Sequence, residues 1–272
     1  MKKFYNSRPR LSEDGSLERT GLKIDGIAKG VLMPGDPHRC DIMSEFFKDP
    51  TFLGRKGTYS AYRGKTPEGE DIAVMSSGMG CNCVSTALED LSFAGAKTVI
   101  RVGTTGGVIP GTLPGKIIIA SGCVRGEGAS YELVPPEYPA VADPYVVKAL
   151  VQACEDLGEE YIVGMYRSHD AFYIESKAAH EGLRDRMQKW IDIDVKGVEN
   201  ESGTLFTFGQ LLGLRCGCIC VTTGCMFDDL DEEGNAIYAI YQDPEFMKSR
   251  IEAMTKVAIR AVEILEQEGH VE

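Results

Sequence analysis

The chain lacks any apolar run near the roughly 20 residues that a membrane-spanning helix needs. No apolar segment of the kind found in a secretory leader follows the basic start MKKFYNSRPR. No GxGxxG or Walker-type glycine loop is present, and no paired CxxC turns of the kind structural zinc sites use. Basic residues are in deficit: 29 Lys and Arg stand against 41 Asp and Glu, a formal charge of −12. Such a field works against a general nucleic-acid binder, whose affinity rests on neutralising phosphates, yet leaves room for a local pocket that takes a small anion. Low-complexity tracts are also missing. The expectation is a cytoplasmic globular protein with neither membrane nor nucleic acid as partner.

What is present suits that class. The 272 residues are 43% hydrophobic, enough for a substantial core. No linker, repeat or charge block divides them, so the reading is an N-terminal extension at 1–20 and one domain at 21–272. Nine cysteines are an odd number in a chain too large to need disulfide staples, and reduced thiols are expected. Cys216, Cys218 and Cys220 alternate onto one face of a strand. Like Cys81 and Cys83, they read as buried thiols acting as small apolar side chains, with no metal site.

Short Val- and Ile-rich runs at 72–76, 98–103, 116–121, 161–168 and 217–223 read as buried strands of an α/β sheet. Amphipathic helices lie between them. Val84, Ala87, Leu88 and Leu91 recur at helical spacing before Gly95. Asp143-Pro144 supplies an N-cap and a first-turn proline for the stripe Val146, Leu150, Ala153, Leu157, which Gly158 ends. Asp243-Pro244 opens a last helix with Met247, Ile251, Met254, Ala258 and Leu265 on one side, ended by Gly269. The proline-rich stretch 126–144 reads as a surface loop, and the acidic 227–235 as a solvated one.

Three glycine turns follow apolar segments: Pro34-Gly35-Asp36-Pro37 with Arg39, Ser77-Gly78-Met79-Gly80, and Arg101-Val102-Gly103-Thr104-Thr105-Gly106. Turns of this kind at strand ends let backbone N–H groups approach an anion, and Arg39 and Arg101 suit bidentate contact with phosphate. Tight turns with surface ion pairs explain the same spacing. Further on, Glu199-Asn200-Glu201-Ser202 precedes a helical stretch. A carboxylate there accepts two hydrogen bonds from a vicinal diol, or simply favours a helix dipole.

Taken in order, these segments resemble the nucleoside phosphorylase family of the uridine phosphorylase and hexameric purine nucleoside phosphorylase type. They are joined by Val124-Arg125, Gly128-Ala129-Ser130 and the run from Glu137 to Asp143, which look most like uridine phosphorylase. The resemblance implies one α/β domain with a mixed sheet partly closed into a barrel and flanked by helices. It implies homodimers as the catalytic unit, possible assembly into a hexamer, and inorganic phosphate as co-substrate with no other cofactor. By the same resemblance Gly35, Arg39, Arg101 and Thr104 hold phosphate, with Arg55 reaching in from the neighbouring subunit. Glu201 and Asn200 bind ribose, Asn200 standing where the family usually has Met. Arg19 occupies the place of a 5′-hydroxyl partner from the adjacent subunit. Thr105, Gly106, Phe172, Ser176 and Thr223 surround the base, and Arg101 and Glu201 are the catalytic pair.

The family's base readers are not where the resemblance puts them. A Gln and an Arg that read uracil are replaced by Ser176 and Ala178, and an Asp that serves purines by Thr223. Asp228, Asp229 or His169 are candidate substitutes, each with a simpler structural reading. Lys56 stands where some relatives have a cation-binding Glu, and its ammonium is expected to replace the ion. A hydrolytic nucleosidase and a non-catalytic nucleoside-binding protein are the competing functions.

Overall fold

The computed structural model describes residues 8–110, 112–172, 183–225 and 243–270. Its first half runs β1 (Gly30–Met33), α1 (Pro37–Ser44), β2 (Lys48–Lys56), β3 (Tyr59–Lys65), β4 (Asp71–Met75), α2 (Cys81–Phe93), β5 (Thr98–Gly107) and β6 (Ile117–Gly126). The second runs α3 (Ala129–Leu133), β7 (Ala140–Val141), α4 (Pro144–Leu157), β8 (Tyr161–His169), α5 (Leu183–Asp192), β9 (Gly197–Glu199), α6 (Ser202–Leu211), β10 (Arg215–Cys225) and α7 (Pro244–Gln267). β5, β9, β8, β6 and β10 follow one another around a ring that closes because β10 also bonds β5. From β5 an open wing continues through β1, β4, β3 and β2. β5 and β10 run parallel, as do β6 with β8 and β8 with β9, whereas β5 with β9 and β6 with β10 are antiparallel. This is the mixed, partly closed sheet that the family resemblance implies.

The expected strands form because their apolar side chains find partners on both faces. Ile117, Ile119, Ile219 and Val221 pack under Val146, Leu150 and Ala153 of α4 and Met254, Ala258 and Leu265 of α7. On the other side Val84, Leu88 and Leu91 of α2 meet Leu205 and Phe206 of α6. The helix ends are local chemistry. The Asp143 carboxylate accepts from the backbone N–H groups of Tyr145 and Val146, and Asp243 does the same for Glu245 and Phe246. Gly158 ends α4 at φ 69°, a left-handed conformation glycine takes without steric cost. Ahead of β1, Leu17 and Leu22 are buried, and Thr20 donates its backbone N–H and hydroxyl to Asp90 of α2.

Two stretches differ from the sequence reading. Residues 126–144 are not a free loop. They contain α3 and β7, gathered around the Arg125 guanidinium, which donates to the Ser130 hydroxyl and to the carbonyls of Pro135, Tyr138 and Val134. β2 and β3 form a hairpin at the outer edge of the wing; Pro50 and Gly54 obscure β2 in the sequence, and register shifts interrupt the pairing. The acidic 227–235 segment lies outside the described residues. All nine cysteines are free, and burial pushes the Cys40 thiol up to about 12. Among the described residues no cluster of three metal-ligating side chains occurs, and no helix is long and apolar enough to cross a membrane.

Candidate active site

β5 brings Arg101 into the interior, where its guanidinium lies between two carboxylates. Nε donates to Glu199 at 3.0 Å, and Nη2 pairs with Glu201. All three side chains are buried. Burial works to lower the arginine's pKa, but Glu201 and Glu199 more than offset it and hold the charge in place. Gly103, two residues along the strand, makes the close approach feasible: a Cβ there would lie 3.0 Å from Arg101 Nη2.

The two carboxylates differ in how they are held. Glu199 accepts from the backbone N–H groups of Glu201 and Ser202 and from the Ser168 hydroxyl as well as from Arg101. Its lone pairs are consumed in fixing the arginine and the start of α6. Glu201 accepts from the Gly80 N–H at 2.7 Å and the Asn200 N–H at 3.2 Å. Burial, with Glu199 adding to it, pushes its pKa above the ordinary carboxylate value against the pull of Arg101. Gly80 sits at the N-terminus of α2 with φ 87°, so a side chain there is strained.

Arg101 Nη1 is buried with no hydrogen-bond partner. It faces the turn after β1: a Cβ built on Gly35 would lie 4.0 Å from it and 3.5 Å from the Gly78 carbonyl. Ser77 N–H donates to the Pro34 carbonyl, tying the two glycine turns together. The fold thus assembles Gly35, Gly78, Gly80, Arg101, Glu199 and Glu201 around an unused cationic donor. A buried guanidinium N–H without a partner is costly, and an oxyanion arriving from the Gly35 side would satisfy it.

The remaining expected residues fall in three places. Arg39 is half-buried in the first turn of α1, just beyond Gly35, and makes no ion pair among the described residues. Arg55 and Lys56 end β2 on the exposed wing, with Arg19 exposed nearby on the N-terminal segment. The Lys56 stem passes about 4 Å from where a Cβ on Gly21 would stand. Around the barrel's strand ends, Thr105 donates its hydroxyl to the Val198 carbonyl, and the Thr223 hydroxyl reaches the Thr105 carbonyl at 3.5 Å. Thr104 and Gly106 alternate to the opposite face of β5 from Arg101. Asn200 donates its side-chain amide to the His169 carbonyl. Phe172, just past β8, is 61% exposed. Ser176, Ala178, Asp228 and Asp229 lie outside the described residues.

Sequence reasoning missed the separate duty of Glu199 and the part Ser168 plays in holding it. The signal was visible only as a second glutamate in the 199–202 segment. That it rather than Glu201 secures Arg101 Nε depends on β9 lying between β5 and β8.

The family description "Phosphorylase superfamily" matches residues 29–266. The chain is 34% identical over 271 residues to the uridine phosphorylase of Thermococcus kodakarensis, covering 97% of this chain and 92% of the relative. It is 32% identical to the guanosine phosphorylase of Halorubrum lacusprofundi, covering 86% and 93%. Among solved structures, uridine phosphorylase from Vibrio fischeri superposes with a TM-score of 0.80 at 25% identity, covering 93% of this chain and all of that one. The fold is shared also with a purine nucleoside phosphorylase from Toxoplasma gondii, at a TM-score of 0.80 and 24% identity over 95% of this chain and 100% of that one.

Proposed function

This chain belongs to the phosphorylase superfamily and is a pentosyltransferase of the nucleoside phosphorylase kind, and from that premise we propose that it cleaves uridine with inorganic phosphate, yielding ribose 1-phosphate and uracil. The observation that carries the reading is Arg101, clamped by Glu199 and Glu201 with Nη1 left without a partner beside Gly35. Phosphate binds there, against the Gly35 backbone and Arg39, while the Thr104 hydroxyl, on the other face of β5, lies outside this cradle. Arg55 from a second copy of the chain completes the site, which makes the homodimer the catalytic unit; three such dimers would build a hexamer. The charge balance supports the need for all three arginines. Arg101 alone leaves its two carboxylates in excess, and only with Arg39 and Arg55 is the cradle net positive before the anion enters.

Glu201 binds the ribose hydroxyls beside Asn200, with Arg19 from the second copy at the 5′ end. Thr105, Gly106, Phe172, Ser176 and Thr223 surround the base. Held under C1′, phosphate attacks as the glycosidic bond breaks, and its negative charge stabilises the oxocarbenium-like ribosyl centre. Catalysis is then mainly positioning and electrostatics, and phosphate is the only co-substrate. The Lys56 ammonium takes the place of a monovalent cation at the subunit boundary. Nucleoside salvage in the cytoplasm is the setting that suits a chain of free thiols.

The relative named as a guanosine phosphorylase gives a second reading, a purine substrate. Thr223 speaks against it, since a neutral hydroxyl bonded toward Thr105 offers a purine ring no carboxylate at that position. The test is a screen of uridine, thymidine, cytidine, inosine, guanosine and adenosine with orthophosphate, following free base and ribose 1-phosphate. Uridine is expected to be turned over fastest. A purine in first place overturns the pyrimidine assignment. Absence of turnover across the panel, with nucleosides still raising the melting temperature, marks a binding protein instead.

A further inference from the structure

Behind the ribose carboxylate the fold buries a third glutamate. Glu127 follows β6 and is 2% exposed, yet among the described residues it makes no ion pair. Arg125, two residues earlier, spends its guanidinium on the Ser130 hydroxyl and on the carbonyls of Val134, Pro135 and Tyr138. Glu127 Oε2 accepts from the Ser130 N–H at 2.9 Å and from the Thr204 hydroxyl at 3.3 Å. Its Oε1 is buried with no hydrogen-bond partner and lies against the first turn of α6, where a Cβ built on Gly203 would come within 2.7 Å of it. Only glycine leaves room for that oxygen.

Three helix starts converge on this carboxylate. α2, α3 and α6 open at Gly80, Gly128 and Glu201, and none of these N-caps supplies a side-chain hydrogen bond. Glu127 takes the Ser130 N–H of α3 and touches Gly203 and Thr204 of α6. It also stands near Cys81, the first residue of α2, where burial pushes the thiol's pKa up and Glu127 adds to the shift. A carboxylate at the positive ends of helix dipoles is favourable without a cation. The same turns of α2 and α6 hold the ribose carboxylate. Gly80 N–H donates to Glu201 Oε1 at 2.7 Å, and the Cys81 thiol donates to the Glu201 backbone carbonyl at 3.5 Å. The α6 turn is pinned a second time by the Gly203 N–H, which donates to the Ser168 hydroxyl at 2.9 Å.

We propose that Glu127 is a positioning residue for the ribose carboxylate: it locks the first turns of α2 and α6 together, so that Glu201 stays aimed at the sugar hydroxyls. This rests on the phosphorolytic reading given above, in which Glu201 takes the diol. Glutamine cannot do the same. With its amide nitrogen in the place of Oε2 it sets a donor against the Ser130 N–H. With that nitrogen in the place of Oε1 it buries N–H groups against Gly203, where no acceptor stands. Either way the α6 turn shifts, and Glu201, two residues before Gly203, shifts with it.

The experiment uses the full chain as wild type, Glu127→Gln and Gly203→Ala, the last approaching the same contact from the helix side. Uridine and 2′-deoxyuridine are compared by kcat/KM at saturating phosphate, and Tm is measured on the same preparations. Wild type is expected to prefer uridine by at least about tenfold, the discrimination one hydrogen bond to a charged group provides. In both variants that preference is expected to shrink at least about fivefold, because a displaced Glu201 no longer meets the 2′-hydroxyl. A merely structural role lowers the active fraction and scales both substrates alike, leaving the ratio at its wild-type value. Gly203→Ala is also expected to lower Tm, although alanine ordinarily favours a helix over glycine. Should Glu127→Gln not fold, the ratio in Gly203→Ala decides. Failure of wild type to cleave uridine overturns the functional reading and this inference with it. Uridine cleavage by wild type with the ratio unchanged in the folded variants, or with no preference for the 2′-hydroxyl in wild type, overturns this inference alone.

Discussion

Replacing Glu199 by Gln keeps the side chain's shape and removes its charge. In the native protein its two oxygens meet Arg101 Nε at 3.0 Å, the N–H of Glu201 at 2.9 Å, the N–H of Ser202 at 3.0 Å and the Ser168 hydroxyl. A glutamine amide has one acceptor oxygen to offer these donors. Its NH2 group is tolerated only toward Ser168, whose hydroxyl reverses to accept, although that oxygen already accepts from the Gly203 N–H. Arg101 keeps Glu201, so the full cost of about 3–5 kcal/mol for breaking a buried ion pair is not reached. Loss of one charge-assisted hydrogen bond, about 1.5–3 kcal/mol, is the better measure. For a chain of 272 residues, an unfolding entropy of about 2.1 cal/mol/K per residue converts this to a fall in Tm of about 3–5 °C. Because Arg101 loses the partner that fixes its Nε, kcat/KM for phosphate is expected to fall at least about tenfold, the equivalent of about 1.4 kcal/mol. Scanning calorimetry and phosphate-saturation kinetics on the same preparations check both numbers. A Glu199→Gln protein with Tm within about a degree of wild type and unchanged kcat/KM would refute the view that Glu199 positions Arg101.

Gly35→Ala separates fold from function, because the added methyl meets its neighbours only at ordinary contact distances of 3.5 and 4.0 Å while filling the space before Arg101 Nη1. Stability should change by less than about 1 kcal/mol while the KM for phosphate rises at least about tenfold, readable from urea unfolding and steady-state rates. Arg125→Met removes the donor that gathers Ser130, Val134, Pro135 and Tyr138. It is expected to cost at least about 3 kcal/mol, several unsatisfied carbonyls at about 1 kcal/mol or more each, and to open residues 130–138 to limited proteolysis. The pKa of His169 lies below its ordinary 6.5, through burial first and then Arg167, against the opposing pull of Glu199 and Asp170. In the window below about 6.5 the unfolded chain therefore takes up this proton before the folded one does, and stability falls as pH drops. Urea midpoints of wild type and His169→Gln between about pH 7.5 and 5 should diverge in slope there, and parallel curves would contradict it.

What was legible in the sequence was what local chemistry decides. Asp143-Pro144 and Gly158 state both ends of α4 within the chain's own neighbourhood, and the isoleucines of β6 announce a strand buried on both faces. The β2–β3 hairpin was not legible, because an exposed edge strand containing Pro50 and Gly54 has no apolar alternation to show. The glycine turns and the 199–202 segment were visible as candidate anion and diol sites. The division of labour between Glu199 and Glu201 was hidden, since it follows from β9 being inserted between β5 and β8. Gly103 looked like another turn glycine, yet it is there because the Arg101 guanidinium folds back over its own strand. Likewise the row Gly106, Val198, Arg167 exists only in the register of three strands distant in sequence.

The claim on which the functional account turns is that Arg101 keeps a buried donor free for an incoming oxyanion. Calorimetric titration of orthophosphate into wild type and Arg101→Lys tests it directly, the variant keeping the charge between the two glutamates without the second fork of the guanidinium. Saturable binding to wild type is expected, with at least about tenfold weaker binding to the variant. Equal affinity in the two proteins would contradict it.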